Sequence, residues 1–269
     1  MEGVRAESLG QSRIGYQHYH QVTLKDFLQA LLARFRADNR GPRKYSLPKV
    51  QSEESLTAKP GDCLTYNFFF YELSGFLKRE RLMTEIALVL GESTSLYVFG
   101  NLFGLPRNSF VAEAAWGSLG HETGCALGIA LASGKRPFVI AGDGGFKMIC
   151  QELSSLVAQK CNAVIFVMSN NTYAIEQAFV DIKAFEPRGE FAAFNVLARW
   201  DYLALAKAFG AKGYRTETVQ ELRIALAEIR GIQVAPVLVE VAIPEKDLAP
   251  QLFRLAKNCP YPEFKSSEV

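Results

Sequence analysis

The sequence predicts an α/β protein with a mostly parallel, doubly wound sheet and helices on both faces. The apolar runs Pro137–Ala141 and Ala163–Met168 are short and unbroken, as strands buried on both sides are. Between them lies a stretch of helical character, Gln151–Lys160. Each run leads to an oxygen-bearing side chain: Asp143 in the turn Gly142-Asp143-Gly144, and Asn170 twenty-seven residues later. Open α/β sheets place ligands at such strand ends. One carboxylate, one amide oxygen and a nearby backbone carbonyl suit a small hard cation that keeps positions free for diphosphate oxygens.

The remaining elements follow in order. Ser12–Val22 alternates weakly and predicts a strand. A helix follows, with Leu24, Phe27, Leu28, Leu31, Leu32 and Phe35 on one face and Thr23 with Asp26 as a capping box. Residues 38–60 are rich in charge, Ser and Pro and read as a linker. That leaves residues 1–37 as one strand and one helix, too little to bury a core alone. From residue 61 to 269 the pattern is α/β. Phe68–Leu77 reads as a helix and Glu85–Leu90 as a strand. Gly120, Gly124 and Gly128 recur every four residues, a spacing that lets another backbone approach one helix face. Asp201–Phe209 predicts a helix and Tyr214–Thr216 a short strand. Thr218 and Glu221 form a second capping box, opening a helix with Leu222, Leu226 and Ile229 inward and Gly231 beyond its end. Pro236–Ile243 is the last strand and Leu248–Lys257 a terminal helix.

Bulk properties exclude several function classes. A formal charge of +2 is too small to argue for nucleic acid or a membrane surface. No apolar stretch approaches the ~20 residues of a membrane span, and the N-terminus lacks the apolar core of a secretory signal. The five cysteines, Cys63, Cys125, Cys150, Cys161 and Cys259, show no CxxC spacing. Reduced thiols in a cytoplasmic protein are the expectation. Other phosphate signatures fail: Gly142-Asp143-Gly144-Gly145 is not GxGxxG. The stretch Gly128–Lys135 is one residue too long for a P-loop, with Arg136 where a hydroxyl is required.

Gly-Asp-Gly alone is a weak signal, since both residue types favour turns. With a strand before it, then a helix, a second strand and Asn170-Asn171-Thr172-Tyr173, the sequence resembles the thiamine-diphosphate-dependent enzymes. The likeness extends to their pyruvate and indolepyruvate decarboxylase branch. Trp116-Gly117-Ser118-Leu119-Gly120 resembles that branch's Trp-Gly-Ser-Ile-Gly, and Asn170–Glu176 its Asn-Asp-Gly-Tyr-Thr-Ile-Glu. Phe194-Asn195 with Trp200-Asp201-Tyr202 resembles its Tyr-Asn…Trp-Asp-Tyr segment, and Tyr19–Leu32 the end of its middle domain.

The resemblance implies a thiamine-diphosphate-binding fold over residues 61–269, preceded by a middle-domain remnant over 1–37. It implies Mg²⁺ held by the side chains of Asp143 and Asn170 and the carbonyl of Thr172. The family usually has Gly at this last position, and a β-branched Thr disfavours positive φ. Gly144 and Gly145 are expected to offer N–H groups to the diphosphate, helped by the start of the following helix. Ser often stands at the second of these positions, so one hydroxyl contact would be missing. Thr94 and Ser95 would add hydroxyl donors. Leu119 would wedge beneath the thiazolium, with Gly117 and Ser118 beside the pyrimidine and the Gly117 carbonyl anchoring it. Tyr173 and Ile175 are expected around the cofactor, with Phe179 near the substrate. Glu176 is the implied catalytic acid, and apolar neighbours should raise its pKa. His18, His20 and His121 show no ligand spacing and inherit no role.

Cofactor activation in this family needs a Glu from an N-terminal pyrimidine-binding domain, which the match does not include. The expected protein is therefore the C-terminal part, or one subunit, of a Mg²⁺-dependent 2-oxo acid decarboxylase that works as a homo-oligomer. A carboligase of the acetohydroxyacid synthase kind and a non-catalytic module of the same fold are the alternatives.

Overall fold

In a computed structural model, the described residues are 4–7, 11–14, 17–20, 22–37, 57–91, 105–113, 116–249 and 252. The chain divides into two compact units, residues 1–54 and 55–269.

The first unit holds β1 (Val4–Glu7), β2 (Gln11–Ile14), β3 (Gln17–His20) and α1 (Leu24–Ala37). The strands form an antiparallel sheet in the order β1-β2-β3. The single strand expected over 12–22 is thus two strands, with Ile14 paired to Gln17. A period-2 alternation reads the same in one long strand as in two short ones, and β1 carried no signal of its own. The capping box of α1 is in place: the Asp26 N–H donates to Thr23 Oγ1 at 3.2 Å, and the Thr23 N–H to Asp26 Oδ2 at 3.2 Å. Leu28, Leu31, Leu32 and Phe35 on α1 are exposed.

Among the described residues, the second unit is built on six strands, all parallel. They are β4 (Ile86–Leu90), β5 (Phe110–Ala112), β6 (Arg136–Gly142), β7 (Val164–Ser169), β8 (Lys212–Thr216) and β9 (Val237–Ala242), in the order β5-β4-β6-β7-β9-β8. Every residue of β4 and β7 is buried. Alternate side chains feed two cores. Leu88, Phe138, Ile140, Phe166 and Val239 face one, with Phe69 and Leu73 of α2 (Tyr66–Arg79) and Leu222, Leu226 and Ile229 of the helix Val219–Arg230. Val89, Val139, Ala141, Ile165 and Leu238 face the other, with Ala126 of α3 (His121–Ser133), Leu153, Leu156 and Tyr202. Burying each of the larger side chains contributes about 1.5–3 kcal/mol. The Glu72 carboxylate, almost fully buried, accepts from the Arg223 guanidinium at 2.6 and 2.9 Å and ties α2 to Val219–Arg230.

Local signals explain most boundaries. Thr65 caps α2, accepting from the Phe68 N–H at 3.2 Å. The Thr218–Glu221 capping box forms with both bonds. Asp201 caps the helix Tyr202–Phe209, accepting from the Ala204 N–H at 2.9 Å. The connection between β6 and β7 differs from the expected single helix. It is two helices, α4 (Asp143–Met148) and α5 (Glu152–Ala158), the first beginning at Asp143 itself. Two glycines and an Asp disfavour a helix by propensity, so the sequence showed only a turn. Short β5 at the sheet edge was likewise silent. The remaining helices are α6 (Ala174–Val180), α7 (Tyr202–Phe209) and α8 (Val219–Arg230).

Of the glycine triplet only Gly120 has close neighbours among the described residues, with the Gly145 carbonyl oxygen 3.4 Å from where a Cβ would lie. The Gly120 φ is 92°, and a Cβ there would meet Ile149 Cγ2 at 3.1 Å. Gly124 and Gly128 face open space among the described residues. Gly134 ends α3 with φ 67°, so the rejected P-loop stretch is a helix C-terminus. The helix expected at 248–257 lies outside the described residues apart from the segment's start and Leu252.

The strand order fixes where a ligand belongs. From β4 the chain moves to β5 on one side, and from β6 to β7 on the other. The carboxyl ends of β4 and β6 therefore flank a topological switch point, where open sheets leave a crevice.

Candidate functional site

Register brings the predicted cation ligands together. Gly142 pairs with Met168, so Asp143 and Asn170 lie one and two residues beyond the last paired positions of adjacent strands. Both are buried, 1% and 2% exposed, and both line one pocket with Thr172, Gly144, Gly145, Leu119, Tyr173, Ile175 and Glu176.

The Asp143 carboxylate is held from two sides. Oδ1 accepts from the Gly144 N–H at 3.0 Å and Oδ2 from the Asn171 N–H at 2.8 Å. Burial nonetheless pushes its pKa up to about 6, against the pull of the Lys147 ammonium and those N–H donors. A buried carboxylate left short of compensating charge is what a bound cation would relieve. The donor set fits a hard ion: carboxylate, amide and main-chain oxygens, with no sulfur or imidazole among them.

Asn171 takes the left-handed conformation, φ 58°, which Asn tolerates. Thr172 has negative φ, so the strain that a β-branched residue would feel does not arise there. The Thr172 N–H donates to Asn170 Oδ1 at 3.3 Å and the Thr172 hydroxyl to the Asn195 carbonyl at 2.9 Å. The Tyr173 N–H also reaches that carbonyl, and the Leu197 N–H donates to the Asn171 carbonyl at 2.8 Å. Buried Asn195 donates from Nδ2 to Gln177 Oε1 at 3.1 Å. The ligand loop is therefore stapled directly to residues 195–197, and Asn195 is held in turn by Gln177, a residue sequence reasoning missed.

Lys147 was also missed. Its Nζ donates to the Ala198 carbonyl at 2.6 Å and sits 5.5 Å from the centre of the Trp200 ring. One turn along α4 from Asp143, it is a cation beside the cation site. A lone Lys after Gly-Asp-Gly-Gly-Phe carries no signal in a single sequence.

The two glycines after Asp143 are required by their neighbours. A Cβ on Gly144 would lie 2.3 Å from Tyr173 Cε1, and one on Gly145 would lie 2.8 Å from Glu122 Oε1. The Gly144 N–H, expected to be offered to the diphosphate, is instead engaged by Asp143 Oδ1 at 3.0 Å.

Other predicted residues are distributed unevenly. Leu119 is half-buried in the pocket wall. Gly117, φ 61°, and Ser118 lie on the exposed turn before it and do not line the pocket. That turn hangs on Glu113, which accepts from the Trp116 N–H at 3.1 Å and the Ser118 N–H at 2.9 Å. Ile175 and Phe179 pack against the core on α6. Glu176 lines the pocket but is exposed, contrary to the expected apolar burial. The buried face of α6 is Ala174, Gln177 and Ala178, which turns position 176 outward. Thr94 and Ser95 lie outside the described residues.

Known proteins are similar to this chain in sequence and fold. A family profile described as thiamine pyrophosphate enzyme, C-terminal TPP binding domain, matches residues 95–241, more than half of the chain. A pyruvate decarboxylase of Aspergillus fumigatus is 29% identical over 260 residues, covering 90% of this chain and 42% of the relative. An alpha-keto-acid decarboxylase of Mycobacterium leprae is 34% identical over 158 residues, 57% of this chain and 26% of the relative. Among solved structures, the benzoylformate decarboxylase of Polynucleobacter necessarius superposes with a TM-score of 0.64 at 25% identity, covering 88% of this chain and 42% of that one. The chain thus spans about two fifths of the length of such relatives. With the profile covering more than half of the chain and the Asp143–Asn170 pair, the chain belongs to the thiamine pyrophosphate enzyme family and carries its C-terminal TPP-binding domain.

Proposed function

We propose that this chain is the diphosphate- and Mg²⁺-binding part of a thiamine-diphosphate-dependent, non-oxidative 2-oxo acid decarboxylase, converting a 2-oxo acid to an aldehyde and CO₂. The observation that carries the reading is the buried Asp143 carboxylate, set one strand away from Asn170 and Thr172 in a single pocket. The names of the relatives, pyruvate and alpha-keto-acid decarboxylases, supply the reaction class.

In this reading Asp143, Asn170 and the Thr172 carbonyl hold the ion, and Lys147 with the Gly144 and Asn171 N–H groups keeps the Asp143 carboxylate in place. Gly145 offers its N–H toward the diphosphate, and Thr94 and Ser95 would offer their hydroxyls. Leu119, with Gly117 and Ser118 on its approach, supports the rings, and Tyr173 and Ile175 wall the pocket. When bound, thiamine diphosphate supplies a nucleophilic carbon and a cationic ring that takes up the electron pair freed as CO₂ leaves. Glu176, at the pocket mouth, carries the proton to the product carbon. Its exposure agrees with a site completed by another body: a pyrimidine-binding domain or subunit would cover the mouth and desolvate it. The assembly is then a cytoplasmic homo-oligomer. Among the described residues no helix is long and apolar enough to cross a membrane.

Product analysis of the chain combined with a pyrimidine-binding domain tests the reaction. Aldehyde and CO₂ from 2-oxo acids, abolished in Glu176→Gln, are expected. Acyloin with little aldehyde would replace the reading with a carboligase, and no turnover with no cofactor binding would leave a non-catalytic module.

A further inference from the structure

Beside Asp143 and Glu176, the crevice at the switch point contains a third carboxylate, which the proposed function does not use. Glu122, the second residue of α3, is 1% exposed and lines the same pocket as Asp143, Asn170 and Thr172. Its Oε1 would lie 2.8 Å from a Cβ on Gly145 and 3.1 Å from one on Gly91. Gly91 follows the last residue of β4, and Gly145 is the third residue of α4 after β6. The carboxylate therefore bridges the two walls of the crevice, on the side where a diphosphate would meet the Gly145 backbone. Its other oxygen, Oε2, lies 3.4 Å from His121 Nδ1, which in turn contacts the Ser118 carbonyl at 2.8 Å. One acid at the cation end of a metal–diphosphate site is a ligand; one at the anion end is a like charge in a water-poor cleft.

We propose that the Glu122 carboxylate is a built-in competitor for the diphosphate position, so that diphosphate binds only as this side chain is displaced and the affinity of the site is set by it. The inference rests on the diphosphate reading of the pocket. It makes Glu122 a specificity-determining residue, holding the anion cleft filled while no diphosphate is bound. A side chain at 145 would press on the same carboxylate, since a Cβ there lies 2.8 Å from Glu122 Oε1.

Calorimetric titration of the full chain with inorganic pyrophosphate in Mg²⁺ tests it, comparing the protein with Glu122→Gln, which keeps the shape and removes the charge. The expected result is binding at least about tenfold tighter in Glu122→Gln. Equal affinity overturns the inference while leaving the diphosphate site intact. Weaker binding overturns it by making Glu122 a ligand of the ion. Absence of binding in both proteins removes the diphosphate reading itself, and the inference with it. The placement has an independent check in thermal unfolding. Gly145→Ala should lower Tm, and Glu122→Ala should restore most of that loss in the double variant; a loss that persists contradicts the contact.

Discussion

The two ends of the pocket are built differently. At the cation end, Asp143, Asn170 and Thr172 are buried and tied by main-chain donors and by the staple through Asn195 and Gln177. At the mouth, Glu176 is exposed on a seven-residue helix. A hard-ion site needs its oxygens fixed before the ion arrives, and this chain fixes them alone. The proton-transfer acid of the proposed function needs desolvation, which the described residues do not give Glu176. On the proposed function, the contrast separates what one domain completes by itself from what it would complete in an assembly.

Several changes would break or sharpen that contrast. The largest effect belongs to Asp143→Ala, which removes the charged ligand. Mg²⁺-dependent diphosphate binding should fall about a hundredfold or more by calorimetry, whereas Glu176→Gln should leave it within about twofold. Next is Gly144→Ala, which drives a methyl into the Tyr173 ring. The expected cost is about 1–3 kcal/mol in denaturant unfolding, and a Tyr173→Ala background should relieve it. If it does not, the Gly144–Tyr173 contact is not what holds the loop.

The pH dependence is smaller and has a definite sign. Asp143 holds its proton up to about pH 6 because burial disfavours the carboxylate, and the ion needs the deprotonated form. Mg²⁺ affinity should therefore be steady above pH 7 and fall as pH drops through about 6. By pH 5 it should be roughly tenfold weaker, and a flat profile would contradict the assigned ligand. Smallest of all is the effect of Glu176→Gln on stability, expected within about 0.5 kcal/mol because the side chain is exposed.

Much of this was legible in the residues. Unbroken apolar runs marked β4, β6 and β7, since strands covered on both faces have no polar side to alternate, and β9 showed through a run broken only by Glu240. Capping boxes marked α1 and α8, because they are local hydrogen-bond chemistry written three residues apart. The Asp143 and Asn170 spacing located the cation end. What stayed hidden depends on long-range packing. Helix α4 starts on residues that disfavour helices, and strand β5 is three residues long at an edge. Lys147, Gln177 and Glu122 are single polar residues whose partners lie in distant segments. Glu176 shows the reverse error: apolar neighbours in sequence suggested burial, but the helix turns those neighbours inward and the acid outward.

The central claim is that Asp143 and Asn170 share one divalent ion that clamps a diphosphate. Calorimetric titration of the chain with thiamine diphosphate, with and without Mg²⁺ and in Asp143→Ala, measures it directly. Saturable heat that requires Mg²⁺ and vanishes in Asp143→Ala is the predicted result. Binding indifferent to the metal, or unchanged by the substitution, would contradict it.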